Sequence, residues 1–299
     1  MEWTRDRIAV ADGIELAYED IGAPDAPVIL LIMGYASQLI VWPDEFCHKL
    51  ANGGFRVIRF DNRDVGLSSK VESGPLPGII GMRLRQGLKL PLKVAYTLDD
   101  MTADTVALLD ALNIEQAHIV GASMGGMIAQ LMAVNYPERV SSLVSLMSSS
   151  TFGGTKPKVL WHVLNKAAPD RESQIAHSLK TWQLISSPEK GDPIQALRSR
   201  VEAAYDRGHY PPGRARQMAA ILAGGSRQKV LPKINAPTLV IHGDKDPMLP
   251  LKGAIDTAKL IPNARLEVVA GMGHDLPEAL LDELVGLILS HVRGESASE

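Results

Sequence analysis

The sequence predicts an α/β fold, a mostly parallel central sheet flanked by helices and interrupted once by a helical insertion. Three observations carry that prediction. Short runs that are apolar at every position alternate with longer helical stretches, the pattern of strands buried on both faces of a parallel sheet. One such run ends in Gly121-Ala122-Ser123-Met124-Gly125, a glycine-flanked serine that leads directly into a helical stretch. Between about residues 149 and 230 the strand signal stops while helical stretches continue.

The elements follow in order. Residues 7–10 and 14–18 read as two strands joined by Ala11-Asp12-Gly13, an Asp-Gly turn that makes an antiparallel hairpin. Val28 to Ile32 is apolar throughout and leaves through Met33-Gly34-Tyr35-Ala36. Asp44 to Asn52 is a helix stopped by Gly53-Gly54, with Cys47 expected on its packed face. Arg56 to Phe60 is the next strand, and its exit loop runs Asp61-Asn62-Arg63-Asp64. From 70 to 96, scattered glycines and prolines predict a long surface loop with one short helical piece, lying over the mouth of the site. Thr97 to Asp100 caps a helix reaching about Leu112, with acids in the first turn where the helix dipole favours them. The serine turn opens a helix over Met124 to Asn135, ended by Pro137, and residues 140–147 form another buried strand.

The insertion holds helical stretches at 158–165, 173–184, 193–205 and 214–222, punctuated by Pro211-Pro212-Gly213 and Gly224-Gly225. Strands return at 238–242 and 265–269, and the last helix, 278–292, gathers Leu280, Leu281, Leu284, Leu287 and Ile288 on one face. The tail from Arg293 to Glu299 is expected to be disordered. The resulting division is a core of residues 1–148 and 231–299 with a helical cap, 149–230, inserted after the sixth strand.

Composition narrows the function classes. The chain has 299 residues, 45% of them hydrophobic and 22% charged, enough for a large buried core. A formal net charge of −3 gives no basic footprint for nucleic acid. A single cysteine excludes an intramolecular disulfide and a cysteine-only metal site. There is no His-Glu-x-x-His, so neither a metal nor another cofactor is expected. The first residues lack the apolar core of a signal peptide, and no apolar run reaches the ~20 residues needed to span a bilayer. The expectation is a soluble cytoplasmic protein whose partner is a small molecule.

The chemistry centres on Ser123. A strand-to-helix turn with small residues on both sides is the nucleophile elbow, in which the serine hydroxyl is exposed at a helix N-terminus. A serine becomes nucleophilic only when a base takes its proton and an acid holds that base in one tautomer. With the partners in the order acid then histidine, only His274 follows a strand in a glycine-flanked loop; His242 sits inside a strand and reads as structural. For the acid, Asp244 and Asp246 compete, with Asp275 a weaker rival because it adjoins the base. Asp246 is preferred because a residue deeper in the loop can turn back toward His274, and partly on the family pattern given below. Asp244 would then bond its own loop. The backbone N–H groups of Met124 and Tyr35 are the expected oxyanion donors.

Together, Gly121-Ala122-Ser123-Met124-Gly125-Gly126, Asp61-x-Arg63, Gly243-x-x-Asp246 and Gly271-x-Gly273-His274 resemble the α/β-hydrolase family over about residues 8–292. Met33-Gly34, Trp42-Pro43-Asp44-Glu45-Phe46 and the run from Val57 to Asp64 are similar to the aclacinomycin methylesterase-like esterases. Two departures stand out. Met33 replaces the histidine that many relatives carry before this glycine, and Asp64 stands where they often have glycine. The resemblance implies that Asp61 and Arg63 are structural and brace their loop by an ion pair.

Serine at the elbow argues against the family's dehalogenases and epoxide hydrolases, whose nucleophile is aspartate. The reading is therefore a serine carboxylesterase acting on small to medium-chain esters. A carbon–carbon bond hydrolase and a cofactor-free perhydrolase use the same triad and remain alternatives, as does a ligand receptor with a vestigial triad. Gly34, Trp161, Trp182 and Tyr210 are candidate substrate contacts, with His209 and Met218 as further candidates in the cap.

Overall fold

The computed structural model describes residues 2–10, 13–72, 79–88, 90, 92–165 and 167–295. Its strands are β1 (Thr4–Ala9), β2 (Glu15–Ile21), β3 (Val28–Ile32), β4 (Arg56–Phe60), β5 (Ala117–Ala122), β6 (Val140–Leu146), β7 (Thr238–Gly243) and β8 (Arg265–Val269). They form one sheet in the order β1-β2-β4-β3-β5-β6-β7-β8. β1 with β2 and β2 with β4 are antiparallel; every other pairing is parallel. The helices are α1 (Asp44–Asn52), α2 (Ile79–Gly87), α3 (Leu98–Ala111), α4 (Met124–Asn135), α5 (Pro157–Leu164), α6 (Arg171–Ile185), α7 (Ile194–Gly208), α8 (Pro211–Gly224), α9 (Leu251–Leu260) and α10 (Leu281–Val292).

The apolar runs are apolar because both faces are covered. Leu30 and Ile32 of β3 enter one core with Met101, Leu108, Met127 and Ile128 of α3 and α4. Ile29 and Leu31 enter the other with Phe46 and Leu50 of α1 and Leu284 and Ile288 of α10. Local signals set the helix starts. Thr97 and Asp100 form a reciprocal capping box at α3, with the Thr97 N–H donating to Asp100 Oδ2 at 2.7 Å. Such a cap contributes about 1 kcal/mol. Cys47 lies buried on the inner side of α1, where burial pushes its thiol up to about 12 against the pull of Arg59, so it is no nucleophile.

Several expectations change. Pro211-Pro212-Gly213 does not separate helices; it is the first turn of α8, where proline's missing N–H costs nothing. Gly213 is required there, since a Cβ would lie 2.1 Å from the Asp64 carbonyl oxygen. The 70–96 stretch contains α2, whose Met82 packs on Met218, Ala219 and Leu222 of α8. No described residue of that stretch lines the cavity described below. Residues 73–78, 89 and 91, and the hairpin residues Ala11 and Asp12, lie outside the described residues. α9 has no counterpart in the expectation; it buries only Ala254 and Thr257. Beyond α10, Gly294 and Glu295 still donate to the carbonyls of His291 and Ser290, while residues 296–299 are outside the described residues. No helix among the described residues is long and apolar enough to cross a membrane.

Candidate active site

The three residues of the expected relay meet beyond the C-terminal ends of β5, β7 and β8, the edge where open α/β sheets bind ligands. Ser123 joins β5 to α4 with φ 55° and ψ −116°, a conformation disfavoured for any side chain. The glycines around it are there for contact. A Cβ on Gly121 would lie 2.3 Å from the Gly125 carbonyl oxygen, and one on Gly125 would lie 2.0 Å from that of Ile32. Those are backbone atoms, so no rotamer change relieves the clash. The Ser123 carbonyl accepts from the Ser148 hydroxyl at 2.7 Å, and its N–H donates to Leu146 O at 2.9 Å, which fixes the turn against β6.

His274 Nε2 lies 2.9 Å from Ser123 Oγ, and His274 Nδ1 lies 2.6 Å from Asp246 Oδ2. Asp246 is buried and its second oxygen is fully used, accepting from Met248 N at 2.7 Å and Leu249 N at 2.9 Å. Burial alone would raise the Asp246 carboxyl. His274 and His242, with the hydrogen bonds it accepts, reverse that and hold it below its usual range. The rival acids have other partners. Asp244 pairs with Lys245 of its own loop at 2.9 Å, in keeping with the expectation, and also reaches across to the histidine loop, accepting from Gly271 N at 2.7 Å. Asp275 takes the Ser187 N–H and hydroxyl at 3.0 and 2.6 Å, tying the histidine loop to the end of α6. Gly273 permits that approach, since a Cβ would lie 2.6 Å from the Ile185 carbonyl oxygen. His242 is buried in β7 with Nε2 2.9 Å from Leu249 O, in keeping with a structural role.

The loop after β3 runs beside the serine. A Cβ on Gly34 would lie 3.1 Å from Ser123 Cβ and 3.7 Å from Oγ, so this backbone borders the hydroxyl. Neither the Tyr35 nor the Met124 N–H has an acceptor among the described residues, which leaves both donors available there. A residue the sequence did not flag holds this loop. Gln217 of α8 is fully buried; its Oε1 accepts from Ala36 N at 2.8 Å and its Nε2 donates to Arg63 O at 3.0 Å. A glutamine in the middle of a helix carries no sequence signal for such a bridge.

Ser123 and His274 open into a cavity of about 500 Å³ enclosed by the β3 loop and by α5 to α8. Gly34, Trp182, His209, Tyr210 and Met218 line it. Trp161 does not. It is 69% exposed on α5 and absent from the lining, because helical spacing alone does not say which face turns inward. The Asp61–Arg63 pair is also corrected. Asp61 instead accepts from Arg207 of α7 at 2.6 Å, and Arg63 pairs with Asp104 of α3 at 2.5 Å. Each brace therefore links the loop to a distant helix rather than to itself.

Comparison with known proteins places these features in a family. The family model for the alpha/beta hydrolase fold matches residues 27–278. Rhodomycin D methylesterase DnrP of Streptomyces peucetius is 29% identical, covering 96% of this chain and 98% of its own. Its counterpart DauP from another Streptomyces strain is 30% identical over the same shares. Among solved structures, a meta-cleavage product hydrolase from Pseudomonas fluorescens is similar in fold, with a TM-score of 0.76 at 22% identity over 97% of both chains.

Proposed function

The chain belongs to the α/β-hydrolase fold family, and on that premise we propose that it is a serine carboxylesterase working through an acyl-enzyme. The observation that carries the reading is the unbroken relay from Asp246 through His274 to Ser123, at 2.6 and 2.9 Å, opening into a cavity of about 500 Å³. With Nδ1–H donated to Asp246, His274 presents Nε2 as the acceptor for the Ser123 proton. Ser123 Oγ attacks the ester carbonyl, and the N–H groups of Met124 and Tyr35 receive the developing oxyanion. His274 then protonates the departing alkoxide, and water repeats the sequence in reverse to release the acid. The ester bond as target draws support from the likeness to methylesterases over nearly the whole chain. The cavity volume suits small to medium acyl chains, and residues 149–230 act as the cap that sizes them.

The test is steady-state hydrolysis of p-nitrophenyl esters from acetate to palmitate, with Ser123→Ala and His274→Ala in parallel. Multiple turnovers are expected, with kcat falling by ~10⁴–10⁶ in each variant, as in other serine triads. A single burst from folded wild type would instead indicate a ligand receptor with a slow triad. No reaction with any ester would move the assignment to another bond type.

A further inference from the structure

α7 and α8 carry Arg198, Arg200, Arg207, Arg214 and Arg216, and four of them have carboxylate partners. Arg198 pairs with Glu172 and Glu202, Arg200 with Asp192, Arg207 with Asp61, and Arg216 with Asp64. Arg214 has none among the described residues, although it is half-buried and lines the cavity. The aspartates that also border the cavity, Asp64, Asp192 and Asp275, are engaged with Arg216, Arg200 and Ser187 instead. The Arg214 guanidinium lies beside the Tyr35 hydroxyl and works against the rise that burial imposes on that phenol. It adds to burial and to His162 in lowering His177, and to burial in lowering His209. A guanidinium withdrawn from bulk water without a counter-ion is unfavourable unless a ligand supplies one.

We propose that Arg214 is an anion-recognition residue, and that the natural substrate is an ester bearing a separate carboxylate. This rests on the esterase reading above. The carboxylate would take the planar donor fork of Arg214, with the Tyr35 hydroxyl as second donor, while the ester reaches Ser123 past Gly34. A methyl or amide in place of the carboxylate leaves the guanidinium unanswered, so the site selects by charge as well as size.

The experiment compares mono-p-nitrophenyl esters of glutaric to suberic acid with neutral p-nitrophenyl esters of matched length. A second series compares 3-carboxyphenyl butanoate with phenyl butanoate, covering a carboxylate on the alcohol side. The readout is the acid-to-neutral ratio of kcat/KM in wild type, Arg214→Gln and Arg214→Lys. In one of the two series this ratio should fall by about 10–100-fold in Arg214→Gln, mostly through KM, with partial recovery in Arg214→Lys. An unchanged ratio in both series, while neutral esters are still cleaved, overturns the anion site and leaves the esterase reading intact. If wild type cleaves no ester, the esterase reading fails; calorimetric binding of suberate and of 4-phenylbutanoate, against its amide, then decides the anion site alone. Carboxylate-dependent binding lost in Arg214→Gln supports the site, and equal binding of acid and amide refutes it.

Discussion

Replacing Asp246 by asparagine changes one atom and, on this geometry, forces the wrong histidine tautomer. One oxygen of Asp246 accepts from two backbone donors, Met248 N at 2.7 Å and Leu249 N at 2.9 Å, while the other faces His274 Nδ1 at 2.6 Å. An asparagine has one oxygen for these two sides. If the oxygen turns to His274, the amide NH₂ confronts two buried N–H donors, each costing about 1–3 kcal/mol when left unmet. The sum, roughly 2–6 kcal/mol, favours the other orientation, in which NH₂ faces His274. Nδ1 must then accept, and the imidazole proton moves to Nε2, where it points at Ser123 Oγ and blocks proton removal. The expected loss in kcat is about 10⁴-fold, the scale of a wrong-tautomer triad, with a circular dichroism spectrum like that of wild type. Asp244→Asn keeps an acceptor for Gly271 N and should stay within about threefold. Steady-state kinetics on p-nitrophenyl butanoate for both variants decides the matter. Should Asp246→Asn retain a tenth of wild-type kcat, or Asp244→Asn prove the more damaging, the tautomer argument is wrong.

Ser123 sits at φ 55°, so Ser123→Gly should be more stable than Ser123→Ala by about 1 kcal/mol, both being inactive; thermal melts compare them directly. Gln217→Ala leaves the Ala36 N–H and Arg63 carbonyl without partners and should destabilise the fold by roughly 2–4 kcal/mol in denaturant titrations. Its residual folded enzyme should lose kcat more than it raises KM, because the loop carrying the Tyr35 N–H is freed. Burial lowers His118, His242 and His291, so each takes up a proton more readily in the unfolded chain. Their contribution to stability is complete above the unfolded histidine pKa of ~6.5 and is lost as pH falls below it toward the lowered folded values. Urea midpoints should therefore drop between pH 7.5 and 5.5, and His242→Asn should flatten that drop; an unaltered slope would remove His242 from the account.

The sequence was most legible where one physical cause determined one residue type. β3, β4, α1 and α4 fall on the expected limits because burial on two faces and local stop signals mark them. The elbow glycines are legible because their spacing reports backbone collisions, and Asp246 because loop depth sets what can reach His274. What failed was partner identity over long separations. Asp61 and Arg63 are adjacent enough to suggest each other, yet their partners are Arg207 and Asp104, on helices whose approach no local pattern encodes. Trp161 failed for a related reason. An apolar residue on an inserted helix can face the cavity, the core or water, and periodicity distinguishes only faces of the helix itself.

Asp64 joins these two classes. The resemblance marks it as a departure from glycine, and its φ of 70° explains why glycine would serve there, since a left-handed aspartate costs on the order of 1 kcal/mol. Its buried carboxylate supplies what glycine lacks, accepting from Arg216 Nε at 2.7 Å, Arg216 Nη2 at 2.9 Å and Val71 N at 2.8 Å. The same turn of α8 brings Gly213 against the Asp64 carbonyl and Gln217 onto the β3 loop, with Arg214 facing the cavity. A shift of this turn would disturb the loop that carries the Tyr35 N–H and the unpaired arginine at once. Lifting α7 and α8 from the core would have to separate Asp64 from Arg216 and Asp61 from Arg207, and breaking a buried pair costs about 3–5 kcal/mol. The edge of the α7–α8 pair at α8 is therefore its fixed edge, and the loop that carries the Tyr35 N–H is held as much by α8 as by the sheet.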